Sequence, residues 1–240
     1  MSATYRVIVM TSDNYLPALR PFAYLFNKYW QPHPEVLIAG FSPPSFELPT
    51  NFKFKSIGKF SDFPFSGWSN ALIKLLEEVQ DETFVLMLED YWITRPVGSD
   101  AIQILNDYAV QFGYVLKIDI CTDRLYAYGA DLNYDHVSYI DLVKSMPGSP
   151  YHMSLYPGIW RRDNLLKVLV PGESPHDMEI VGSTRVSHMQ DLLVLGTRQN
   201  PLKITLGLRG GNHNQVNYGD IPKGDFDDMH AAGYFRPWNV

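Results

Sequence analysis

TFVLMLEDYW, residues Thr83 to Trp92, sets five consecutive apolar side chains, Phe84 to Leu88, directly against two acids, Glu89 and Asp90. An unbroken apolar run of this length suits a strand buried on both faces of a parallel sheet, since helices cover such a strand on either side. In an open α/β sheet ligands bind outside the carboxyl ends of the strands, which is where this run delivers its two carboxylates. Successive side chains on an extended strand point to opposite faces, so both acids can serve one ligand only if the chain turns there. Acids at a strand end are also satisfied by loop amides or water, so the surrounding chain has to decide between the two readings.

Upstream, YRVIVM at 5–10 reads as a strand ending in Thr11, Ser12, Asp13 and Asn14, small polar residues suited to a turn at the mouth of a sheet. Residues 16–30 carry Leu19, Phe22, Ala23, Phe26 and Trp30 at helical spacing, with Pro17 in the first turn, and Pro32 and Pro34 close the helix. A short strand at 36–39 completes strand, helix, strand, the opening unit of a parallel sheet with a right-handed crossover. Another strand is expected at 52–57, in a stretch rich in phenylalanine. FSGWSN, 65–70, then opens a helix that buries Ala71, Leu72, Leu75, Leu76 and Val79, with Ser69 as its cap. A helix amino terminus favours phosphate charge, and Trp68 beside it can cover a base or sugar; a capping serine and a core tryptophan are the plainer alternative.

Downstream, the pattern predicts a helix over 100–112, a strand over 114–120 and a strand at 124–128. YHMSLYPGIW, 151–160, is aromatic and strand-like, and Asp163 caps the helix after it. In PGESPHDMEI, 171–180, Ser174 is the cap, Pro175 lies in the first turn, and Asp177 takes the capping-box position. Glu179 lies past the cap, where the helix dipole holds a carboxylate ionised, and a general base in a cleft has this placement, as does a surface glutamate. Strands at 192–195 and 202–206 lead to RGGNHN, 209–214, a polar glycine-rich loop able to close over a site.

Apolar residues make up 45% of the 240 and charged residues 19%, a globular balance with ample material for a core. The net charge of −6 is shared by both halves, which weighs against holding nucleic acid mainly through its phosphates. Cys121 is the single cysteine, so neither an intrachain disulfide nor a thiolate metal site is available. No apolar run reaches the roughly 18 to 20 residues that span a bilayer, and the amino terminus lacks a signal-peptide pattern. A soluble, cytoplasmic protein is the expectation.

TSDNY near the start, GWSNAL before a helix, LMLEDYW in the middle, and SLYPGIWRRDNL followed by ESPHDMEI resemble, in that order, small bacterial and phage-type glycosyltransferases of the GT-A fold. The similarity spreads over roughly residues 5 to 225 and rests on no single diagnostic motif. It implies one α/β, Rossmann-like domain over 1–240, with a mostly parallel central sheet flanked by helices. Residues up to about 120 would form the nucleotide-binding half, and 121–240 a smaller, mixed acceptor-side portion. It further implies transfer of a sugar from a nucleotide-sugar, a UDP-sugar in the first instance, to an acceptor hydroxyl of a glycan, a protein or a hydroxylated nucleobase. By the resemblance, Thr11, Ser12, Asp13, Trp68, Ser69 and Asn70 surround the donor. Glu89 and Asp90 stand for the Asp-x-Asp acids that hold ribose, sugar and a Mn²⁺ or Mg²⁺ ion, with His213 a further metal contact. Glu179, or else Asp177, is the base that takes the acceptor proton. Two departures stand out: Leu88 precedes Glu89, so the acids are adjacent rather than two apart, and Asn70 is neutral where similar chains carry aspartate.

Two other classes fit part of this pattern. A sugar nucleotidyltransferase shares the sheet and the acids but opens with a glycine-rich loop and a basic residue after its first strand; Thr11 to Tyr15 holds neither. A non-catalytic carbohydrate-binding or assembly module would use Trp68, Trp92, Trp160 and Trp238 as sugar platforms.

Overall fold

The computed structural model of the chain describes residues 5–121, 132–209 and 215–238. Strands β1 (Arg6–Met10), β2 (Val36–Gly40), β3 (Phe52–Ser56) and β4 (Thr83–Leu88) lie parallel in the order β3-β2-β1-β4. Helix α1 (Leu19–Tyr29) crosses over from β1 to β2, and α2 (Trp68–Glu78) from β3 to β4. The two crossovers cover opposite faces of the sheet, because Phe22 and Phe26 of α1 join one core and Leu72 and Leu76 of α2 the other.

Beyond β4 the sheet continues through strands drawn from both halves of the chain. Next to β4 comes β9 (Gly158–Arg161), then β6 (Val115–Asp119), β10 (Leu193–Thr197), β8 (Ile140–Lys144) and β7 (Leu132–Val137), nine strands among the described residues. Only β8 and β9 run against the rest, so the α/β class with a mostly parallel, helix-flanked sheet is the one observed. α3 (Ser99–Gln111) packs on the α1 face, and α4 (Arg162–Val168) and α5 (Pro175–Ser187) on the α2 face.

The apolar run of β4 is buried as its composition requires. Val85 and Met87 enter one core and Phe84 and Leu86 the other, each at most 1% exposed. Side chains of this kind contribute roughly 1.5 to 3 kcal/mol each when fully buried. With β1 on one side and β9 on the other, β4 is the spine from which the edge carrying Glu89 and Asp90 is hung.

Several expectations need correction. Only Gly158–Arg161 of the aromatic stretch 151–160 forms a strand; residues 149–156 are turns and irregular chain that Pro157 separates from β9. Arg161, not Asp163, occupies the cap position of α4, which leaves Asp163 in the first turn. The chain also forms a hairpin of β7 and β8 that no expectation covered; β7, LNYDHV, is polar enough to pass for a loop, while β8 buries Ile140, Leu142 and Val143. Tyr91–Ile93 forms a short strand, β5, paired with β11 (Ile204–Leu206) outside the main sheet. The expected strand at 124–128 lies outside the described residues.

One glycine fixes how this small sheet meets the large one. A Cβ on Gly207 would lie 2.2 Å from Cδ2 of Trp92, a fully buried ring, while the Gly207 N–H donates to the Asp90 carbonyl at 2.7 Å. Gly207→Ala is therefore expected to lower folding stability by about 2 to 3 kcal/mol through overpacking, read from the urea midpoint. Gly224→Ala, where a Cβ meets nothing within 4 Å, should stay within about 0.5 kcal/mol of the parent.

Candidate active site

β1 and β4 end level with each other, with Met10 opposite Leu88, so Thr11 and Glu89 leave the sheet side by side at its carboxyl edge. The chain does turn at this point. The Asp90 carbonyl accepts from the N–H groups of Trp92 and Gly207, and the Glu89 carbonyl accepts from the Trp92 indole at 3.2 Å. These three bonds end the strand in a turn at Glu89 and Asp90, and the two carboxylates stay close enough for the charge of one to act on the other.

The two carboxylates are not equivalent. Glu89 is 8% exposed, and Asp90 is half-buried. Burial, followed by the neighbouring charge of Asp90, pushes the Glu89 carboxyl well above its ordinary range, and among the described residues no cation offsets this. The same two acids raise Tyr15, whose own burial is the larger cause. Tyr15 lies in the 3-10 helix Asp13–Ala18 that follows β1, so this tyrosine belongs to the edge although the sequence reading passed over it.

Of the other residues singled out after β1, Thr11 is buried with its N–H on the Ala39 carbonyl. Ser12 is half-buried. Asp13 accepts the N–H and the hydroxyl of Ser42, each at 2.9 Å, which ties the end of β1 to the end of β2. Parallel crossovers start their helices at the carboxyl edge, so Trp68, the first residue of α2, lies at that edge too, half-buried against the core that also receives Leu88.

Ser69 is not the cap of α2. The 3-10 turn Phe65–Gly67 runs straight into the helix and leaves Gly67 in the cap position with no side-chain bond. Ser69 is instead fully buried; its hydroxyl donates to Val170 O at 2.7 Å and accepts from Glu173 N at 3.0 Å, so it faces a neighbouring loop rather than a ligand. Asn70 accepts from Gly172 N of the same loop at 3.1 Å.

The start of α5 follows the sequence reading closely. Ser174 and Asp177 form the reciprocal capping box, with Pro175 in the first turn. Those bonds hold the Asp177 carboxyl below its usual range, the opposite of what a general base working near neutrality needs. Glu179 is half-buried and accepts from Leu155 N at 2.7 Å. Leu155 belongs to the segment entering β9, and since β9 is antiparallel that segment emerges at the same edge as Glu89 and Asp90.

Beneath that segment lies a pair invisible to pattern reading. Lys117 is fully buried in β6, donates to Ser154 O at 2.8 Å, pairs with Asp119 and sits 5.1 Å from the Trp160 ring centroid. Gly158 makes the space, since a Cβ there would lie 2.4 Å from the lysine Cε. Trp92 and Trp160 are themselves fully buried, which removes both as sugar platforms. His213 lies outside the described residues. Among the described residues, no three His, Cys, Asp or Glu side chains converge as a metal cage, and no helix is long and apolar enough to cross a membrane.

The raised Glu89 has a measurable consequence. The folded protein keeps a proton that the unfolded chain releases near 4.5, so the stability linked to it is full below that pH and is lost as pH rises toward the folded value. Glu89→Gln removes that loss. The stability of the variant relative to the parent should climb in urea titrations as pH rises above 4.5 and level off once folded Glu89 has ionised; a difference independent of pH would mean that the carboxyl is not raised by folding.

No protein-family model matches the chain, and no curated protein does. Solved structures with a similar fold include a UTP-bound UGPase from Acinetobacter baumannii, at 9% identity over 97% of this chain and 94% of that one, TM-score 0.49. S. aureus TarS in complex with UDP aligns at 10% identity over 83% of this chain, TM-score 0.48, and this chain spans 59% of that structure. A CMP:2-keto-3-deoxy-manno-octonic acid synthetase complexed with CTP aligns at 10% identity over 80% of this chain and 89% of that one, TM-score 0.41. These likenesses concern the course of the chain and say nothing about its activity.

Proposed function

We propose that this chain is a glycosyltransferase that moves a sugar from a nucleotide-sugar, a UDP-sugar in the first instance, to an acceptor hydroxyl. The observation that carries the reading is the acidic turn: a desolvated Glu89 and its neighbour Asp90, at the carboxyl end of a strand buried from Thr83 to Met87, with no cation among the described residues acting on Glu89. Two such carboxylates suit a hard divalent cation, Mn²⁺ or Mg²⁺. These ions keep several waters and bind through one or two carboxylates plus phosphate oxygens, a ligand set that Glu89 and Asp90 would supply with the donor's diphosphate. When bound, the ion neutralises charge on the departing diphosphate.

In this reading Thr11 and Ser12 line the nucleoside and Asp13 keeps their loop in place through Ser42. Trp68 covers the base or sugar, and Asn70 steadies the 170–173 loop beside it. Glu179, oriented by the Leu155 amide, accepts the acceptor's proton. The contending reading, a sugar nucleotidyltransferase, is disfavoured by TSDNYLPA at 11–18. That segment coils directly into a 3-10 helix and offers neither a glycine-rich cradle nor a cation for a triphosphate.

Incubation with a panel of labelled nucleotide-sugars and Mn²⁺ tests the assignment, with a nucleoside triphosphate and a sugar 1-phosphate as the competing substrates. Asp90→Ala is expected to lower transfer or donor hydrolysis by about a hundredfold or more while leaving the thermal midpoint nearly unchanged. Formation of a nucleotide-sugar from the triphosphate would instead select the nucleotidyltransferase. Trp68→Ala should raise the donor KM about tenfold with kcat retained, the loss of one stacking face; an unchanged KM would remove Trp68 from the donor site.

A further inference from the structure

A concavity lies beside the short β5–β11 sheet that follows the acidic turn. Its volume is about 160 Å³, and its wall includes Cys121, Tyr156, Lys203, Thr205, Arg209 and Asp220. On that measure one water needs about 10 to 15 Å³, so the space holds roughly ten waters, enough for one sugar ring and too little for an extended chain. Two contacts tie it to the proposed donor site. β5 pairs Tyr91 with Leu206 in the cavity wall, and the Gly207 N–H binds the Asp90 carbonyl. Tyr156 packs against Tyr91 with ring centroids 5.3 Å apart, so the cavity's aromatic side begins one residue after Asp90.

The charge of this wall runs against that of the molecule. In a chain of net charge −6 it carries, among the described residues, two cations, Lys203 and Arg209, against one anion. That anion is already engaged: Asp220 accepts from the Thr205 hydroxyl at 3.2 Å, and Thr205 in turn accepts from Asn217. Lys203 and Arg209 are both exposed. An aromatic face, a bound hydroxyl network and surplus positive charge around a space of this size describe the recognition of a sugar that bears an anionic group.

We infer that this cavity is the acceptor subsite and that it takes a single sugar unit carrying a phosphate or carboxylate, held by Lys203 and Arg209 against Tyr156. The inference rests on the assignment of Glu89 and Asp90 to the donor, but its test does not need turnover. Cys121, the single cysteine of the chain and part of the wall, reports occupancy directly through its rate of reaction with methyl methanethiosulfonate, followed by mass spectrometry. Glucose 6-phosphate is expected to slow the labelling and glucose at the same concentration to slow it far less. Lys203→Ala/Arg209→Ala should raise the half-protecting concentration of glucose 6-phosphate about tenfold or more, as loss of charge-assisted bonds requires.

Equal protection by glucose and glucose 6-phosphate would overturn the anionic requirement. Protection by UDP but not by glucose 6-phosphate would assign the cations to the donor's diphosphate and end the acceptor reading. Cys121 is buried, so the same comparison is repeated by equilibrium dialysis of radiolabelled glucose 6-phosphate and glucose; no protection by either sugar and no retained glucose 6-phosphate would show that the cavity admits no such ligand. Failure of the glycosyltransferase assay with protection intact would leave an anionic-sugar site on a protein of another activity, so the two readings fail separately.

Discussion

Burying a carboxyl group beside another carboxylate is costly, and the structure accepts that cost at one place, the turn after β4. Glu89 loses most of its water because β4 is covered on both faces up to Met87 and because Trp92, fully buried, folds back so that its indole donates to the Glu89 carbonyl. A desolvated acid next to a second negative charge is unfavourable unless it keeps its proton or meets a cation. Most of what surrounds the turn, including the tight passage of Gly207 over Trp92, serves to hold that arrangement in place.

The second half of the chain contributes by insertion rather than by docking. β9 enters antiparallel between β4 and β6, which brings the preceding segment, with Ser154 and Leu155, out at the edge where the parallel strands end. Gly158 permits Lys117 to pass beneath it; Lys117 anchors the Ser154 carbonyl, and the Leu155 amide in turn anchors Glu179. The position of Glu179 relative to the acidic turn thus depends on a lysine buried in the sheet, two strands away. Beside the β5–β11 sheet the molecule shows its other charge, in the wall formed by Lys203 and Arg209.

Part of the site was legible because it is local chemistry. The Ser174–Asp177 capping box depends on residues three apart, and its pattern on paper is its pattern in space. The same logic failed at Ser69, where a loop a hundred residues downstream claimed the hydroxyl and the helix began one turn of 3-10 structure earlier than its apolar spacing implied. Lys117 and Asp119 gave no signal at all, since a lysine within a strand reads as an edge or solvent position until a glycine on a neighbouring strand makes room for it. Tyr15 was hidden for a similar reason, as one aromatic among many whose importance comes from the acids across the edge.

What the amino-acid order determined by itself is the alternation of buried strands with one-sided helices, and the abrupt arrival of two acids at the end of an unbroken apolar run. Periodicity and composition encode burial, and burial selects an α/β sheet with that run in its interior. Tertiary structure alone decided whether the acids converge, which hydroxyls and carboxylates remain for a ligand, and where positive charge gathers. Those outcomes depend on distant backbone amides, on one glycine against an indole and another above a lysine, and contacts between residues so far apart in the chain leave no periodic trace in sequence.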